Sequence, residues 1–95
     1  MRPRKTRDIA GALKSKGFIE KQSHHTFFAL AVNGLRSGVR TKLSHGVREY
    51  GASLLHQIAQ DLGLTNEELE RLLDCPMSGQ QYVDLMRLRG RVRES

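Results

Sequence analysis

The chain has 95 residues, with sixteen lysines and arginines against ten acids, a formal net charge of +6 and an isoelectric point near 10.1. That length allows one domain with a single modest core, and 38% apolar residues with only two prolines fit a folded domain, not a disordered tail. A lone cysteine, Cys75, excludes an internal disulfide and argues against a cysteine-based zinc site.

The basic start, Met1 to Arg7, has no apolar stretch behind it and so does not read as a secretory signal. Thr6 is placed to cap a first helix through Asp8 to about Lys16. Ile9, Ala12 and Leu13 recur at helical spacing as its buried stripe. Gly17 stops it. Phe18 and Ile19 open a short strand, and 20–23 lead out of it. From His24 to Val32 the chain reads as extended, with two phenylalanines and no breaker. This stretch holds the longest apolar run, Phe27 to Val32, which is too short to cross a bilayer.

Residues 33–38, Asn-Gly-Leu-Arg-Ser-Gly, form a turn cluster whose Asn-Gly pair suits positive φ. In 39–44 the alternation sets Val39, Thr41 and Leu43 on one face and Arg40, Lys42 and Ser44 on the other, giving a hairpin with one cationic face. His45-Gly46 ends that strand. Leu54, Leu55, Ile58, Ala59 and Leu62 mark an amphipathic helix closed by Gly63. Thr65 to Glu68 and Ser78 to Gln81 both match a capping box, each opening a further short helix. Arg87, Arg89, Arg91 and Arg93 make a basic, frayed end. The expected organisation is one domain over 1–95: an α-β-β-β-α core at 6–63, a helical extension at 64–89 and a tail at 90–95.

Charge is unevenly spread. Residues 1–22 carry seven cations and two acids, 36–48 carry four and none, and 61–74 carry one and five. On charge alone, a polyanion partner and an ordinary basic protein both stay open. The acidic helix after Thr65 fits solvation and a favourable charge at a helix N-terminus.

Four histidines invite a metal, but His24 and His25 are consecutive and would point to opposite faces of a strand. No phosphate-binding glycine loop or nucleophile elbow is present. Cys75, before Pro76, reads as inert packing. Histidine is the side chain suited to proton transfer near neutral pH. RNA can be cleaved without metal when a base takes the proton of its own 2′-hydroxyl and cations stabilise the phosphate. His24 or His25 fits that base, with Lys21, Arg40 and Lys42 as cations. His24 is in phase with Thr26, Phe28, Leu30 and Val32, the more apolar set. Spacing alone therefore leaves a structural histidine open beside a catalytic one.

The run Thr6-Arg7-Asp8-Ile9 through Leu13 to Lys16-Gly17-Phe18 is similar to the opening of HicA-type toxins. Ser23-His24-His25-Thr26-Phe27 stands at that family's Gly-Ser-His motif. Leu43-Ser44-His45-Gly46 resembles its polar segment before the second helix, and Asp61-Leu62-Gly63-Leu64-Thr65 resembles the end of that helix. The likeness covers about residues 6–65. It implies an α+β fold like the double-stranded-RNA-binding domain, α-β-β-β-α, here with two short C-terminal helices. It also implies a metal-independent endoribonuclease acting on mRNA, without a cofactor and neutralised by a HicB-type antitoxin; a non-catalytic RNA-binding module on the same fold is the alternative, and the single cysteine makes a cytoplasmic setting the default. The family's catalytic histidine falls on His24, with His25 as the alternative. The RNA-binding set comprises Lys21, Ser23, Arg36, Arg40, Lys42 and His45. Gln22 stands where the motif has glycine, and the helices after Thr65 extend past the family's core.

Overall fold

The computed structural model describes residues 1–74 and 76–92. A two-residue strand β1 (Arg4–Lys5) leads into α1 (Thr6–Ser15). The chain then runs through β2 (Phe18–Gln22), β3 (Thr26–Val32) and β4 (Leu35–Leu43). A second two-residue strand β5 (Glu49–Tyr50) precedes α2 (Ala52–Asp61), α3 (Asn66–Leu73) and α4 (Gly79–Leu88). The described residues form a small α+β domain with four helices and a three-stranded antiparallel sheet, in the order β2-β3-β4. The pairing of β1 with β5, which the sequence did not announce, closes the chain start onto the segment before α2.

Alternation decides the layers. Phe18, Phe28, Leu30, Val39, Thr41 and Leu43 are buried on one side of the sheet, with Phe28 and Leu30 fully so. Against them pack Ile9 and Leu13 of α1, Leu55, Ile58 and Ala59 of α2, Leu69 and Leu72 of α3, and Tyr82 and Met86 of α4, in one continuous cluster. Each fully buried leucine removes apolar area worth about 2 kcal/mol from water. The buried Thr41 hydroxyl is satisfied by donating to Asp61 (2.9 Å). Among the described residues, no helix covers the other side of the sheet.

The hairpins differ from expectation at both turns. Asn33 and Gly34 both take positive φ (54° and 79°) and alone make the turn, with Val32 paired to Leu35. β4 therefore begins at Leu35, well before the alternation that starts at Val39. The residues between are absorbed by an irregularity in which Gly38 sits at φ 90° and the Ser37 hydroxyl donates to the Leu30 carbonyl (3.0 Å). At the other hairpin the strand expected from His24 begins at Thr26. Gln22 pairs with Thr26, so Ser23, His24 and His25 are left to turn the chain.

Thr6 does not cap α1. It is the first helical residue; its N–H donates to the Arg48 carbonyl (2.8 Å) and its hydroxyl to the Val47 carbonyl, tying the helix to the segment before β5. Both predicted capping boxes are present, at Thr65–Glu68 and Ser78–Gln81. The basic end is not loose as far as it is described. Gly90 turns at φ 74°, the Arg91 N–H donates to the Met86 carbonyl (2.8 Å), and Val92 is buried. Cys75 and Arg93 lie outside the described residues. No described helix is long and apolar enough to cross a membrane.

Candidate functional site

The helix-free side of the sheet gathers most of the cationic candidates. Cross-strand register sets Lys21, Phe27 and Lys42 in one row, Ile19, Ala29 and Arg40 in the next, and Ala31 with Arg36 beyond them. Directly opposed side chains in an antiparallel sheet stand about 5 Å apart, so Phe27 lies between two lysine side chains. Lys21, Arg36, Arg40 and Lys42 are all exposed. None of them has a carboxylate partner among the described residues. Ser23, Lys21, Arg36 and Arg40 line a shallow depression of about 230 Å³ floored by Phe27 and Ala29. Glu20, the carboxylate of β2, alternates to the opposite side and pairs with Lys14 (3.6 Å). Phe27, 36% exposed, and Ile19, 50% exposed, add an apolar floor that the charge pattern did not single out.

The histidines separate. His24 is exposed in the β2–β3 turn and has no hydrogen-bond partner among the described residues. His25 is half-buried. Its ring stands edge-on to Phe27 with centroids 6.2 Å apart, and its Nδ1 is enclosed without a hydrogen-bond partner among the described residues. Such a ring is held by packing. The turn is closed by the Ser23 N–H donating to the His25 carbonyl (3.0 Å).

His45 belongs to neither the cationic face nor the turn. It leaves the end of β4 on the helix side of the sheet, where its Nε2 lies 3.1 Å from the Thr26 hydroxyl, which in turn donates to Gln22 Oε1 (2.9 Å). Beside it a groove of about 670 Å³ opens between α1 and the segment linking β4 to β5, lined by Lys5, Arg7, Glu20, Arg48 and Glu49. Among the described residues, no three His, Cys, Asp or Glu side chains gather where they could hold a metal ion. Chemically, the molecule offers a flat cationic face with one aromatic, an open histidine at its end, and a second histidine oriented over a mixed-charge groove.

The electrostatics elsewhere serve the fold. Arg89 grips Glu68 through two bonds (2.9 and 2.6 Å), and this, with the Thr65 N–H, holds the Glu68 carboxyl down at about 2. The Arg4 guanidinium keeps Asp74 below the usual carboxylate range. Burial pushes the Tyr82 phenol up. Comparison with protein-family models, curated proteins and solved structures finds no match for this chain.

Proposed function

We propose that the protein binds RNA on the open face of its β2-β3-β4 sheet and cleaves it without a metal, as a HicA-like toxin held in check by a HicB-type antitoxin. The observation that carries the reading is the face itself: four exposed cations and, among the described residues, no carboxylate, around an exposed phenylalanine. Lys21, Arg36, Arg40 and Lys42 contact phosphates, and Phe27 offers a ring on which a base stacks. His24, open at the end of that face, transfers a proton, and Ser23 binds beside it. The order α1, three antiparallel strands, α2, with the helices on one side, supports a fold of the double-stranded-RNA-binding type.

Four phosphate contacts to a single strand make the logarithm of affinity fall with the logarithm of salt at a slope of about −3. Lys21→Ala and Lys42→Ala each lower that slope by roughly 0.7. Titration of a single-stranded RNA oligonucleotide at several salt concentrations checks this, and binding indifferent to salt would remove the face from the interface. Incubation in EDTA with wild type and His24→Ala separates cleavage from binding. Growth arrest on induced expression, relieved by His24→Ala, tests the toxin.

A further inference from the structure

Cleavage of RNA by its own 2′-hydroxyl moves two protons. One leaves the 2′-oxygen as it attacks phosphorus, and one arrives on the departing 5′-oxygen as the P–O bond breaks, giving a 2′,3′-cyclic phosphate and a 5′-hydroxyl. One histidine covers one of these steps. We propose that His45 is the general base of the proposed cleavage, acting from the groove between α1 and the β4–β5 segment, with Arg7 and Arg48 receiving the phosphate. The inference rests on the RNA-cleaving reading and assigns it a second proton-transfer group.

The hydrogen-bond chain sets the tautomer. The Thr26 hydroxyl has one proton, which it gives to Gln22 Oε1 (2.9 Å), so toward His45 it accepts, and Nε2 carries the ring proton (3.1 Å). The Nδ1 lone pair is thereby left free, which is what a base needs before reaction begins.

The ring's mounting is rigid. The Ser44 N–H donates to the Tyr50 hydroxyl (2.7 Å), and the Val47 and Arg48 carbonyls take the hydroxyl and N–H of Thr6. A short segment bound at three points keeps a side chain in place better than a free loop does. In the groove, Lys5, Arg7 and Arg48 outnumber Glu20 and Glu49. Lys5 and Arg48 have no carboxylate partner among the described residues. That excess of cations favours an anionic ligand.

His24 stands two residues before the threonine that holds His45, so its Cα lies within about 7 Å of Thr26 Cα. In the proposed reaction His45 takes the 2′-proton and His24, in the turn that Thr26 closes, supplies the 5′-proton.

The test compares wild type, His45→Gln and His24→Ala on a single-stranded RNA oligonucleotide and on its analogue with sulfur as the 5′-bridging atom. Glutamine keeps a donor for Thr26 but offers no base, and its thermal midpoint is measured beside that of wild type. A sulfur leaving group departs without protonation, so it bypasses the acid and leaves the need for the base. Wild type cleaves both substrates to cyclic phosphates. His45→Gln binds RNA as wild type does yet cleaves both at least about a hundredfold more slowly, whereas His24→Ala fails on oxygen and recovers on sulfur. Wild-type rates from His45→Gln, or its recovery on sulfur, would overturn the assignment. Salt-dependent binding without any cleavage by wild type would also overturn it while leaving the RNA interface standing. Absence of RNA binding would take down the underlying reading first.

Discussion

At the scale of single residues, the most telling position in the sheet is Phe27. A phenylalanine 36% exposed on the middle strand forfeits burial that its neighbour Phe28 achieves completely. Its setting between Lys21 and Lys42 suits a nucleobase, since a ring face takes any base and the flanking ammonium groups take the phosphates on either side. Phe27→Ala is expected to weaken single-stranded RNA binding by about 1–3 kcal/mol, roughly ten- to a hundredfold, while the salt slope stays as in wild type. Fluorescence titration at two salt concentrations reads both quantities, and unchanged affinity would deny the ring a stacking role. Alternation along 26–32 correctly separates Phe28 and Leu30 from Phe27 and Ala29, so this face was legible from spacing. The extension of that phase back to His24 was not, because pairing of Gln22 with Thr26 ends the strand before the histidines. Where a hairpin turns is set by the partner strand, which no local pattern contains.

At the scale of elements, local chemistry was readable wherever the sequence meets its own needs within a few residues. The two capping boxes and the Asn33-Gly34 turn are of this kind. Thr6 is the contrary case. The residue type fits a cap, but its hydroxyl is drawn to the Val47 carbonyl forty-one positions away. Ser37 and Gly38 likewise look like loop and are strand, because the irregularity opposite Leu30 takes them up. The α3 cap also joins distant parts of the chain. Its Glu68 accepts from the Thr65 N–H (2.8 Å) and from both terminal nitrogens of Arg89, just beyond α4. With its folded value near 2, below the value of 4.5 for a free carboxyl, Glu68 adds stability above pH 4.5 that is lost as pH falls toward 2. Glu68→Gln keeps the acceptor for Thr65 and removes the charge. It is expected to lose up to about 1 kcal/mol at neutral pH, because the pair is partly solvated. The deficit should vanish near pH 2. Urea midpoints of both proteins across that range check the sign, and a deficit that persists in acid would place the effect in the cap.

At the scale of the whole molecule, the two C-terminal helices complete the core of the α-β-β-β-α unit instead of trailing from it. Tyr82 is fully buried, its ring 5.7 Å from Phe18 on the sheet and its hydroxyl donating to the Leu62 carbonyl at the end of α2 (2.7 Å). The Lys16 ammonium, at the end of α1, donates to the Met77 carbonyl just before α4 (2.6 Å). The charge pattern displayed a basic front and an acidic α3 but gave no hint of this closure; the spacing of Tyr82, Leu85 and Met86 marks an apolar helix stripe without saying what it packs against. Gly79 begins α4 where a Cβ would stand 2.8 Å from the Lys16 carbonyl oxygen. That oxygen belongs to backbone fixed by the end of α1, so it cannot swing aside as a flexible side chain would. Gly79→Ala is therefore expected to cost about 1–3 kcal/mol, against the usual gain for alanine over glycine in a helix. Tyr82→Phe, which leaves the Leu62 carbonyl without its donor, should lose about 1–2 kcal/mol by an independent route. Thermal or urea unfolding of both variants measures these losses. If α4 were an appendage, Gly79→Ala would match or exceed wild-type stability and unfolding would proceed in two steps. A helix that shares the core instead makes both variants lower a single transition, and with it the stability of the sheet face that carries the cations.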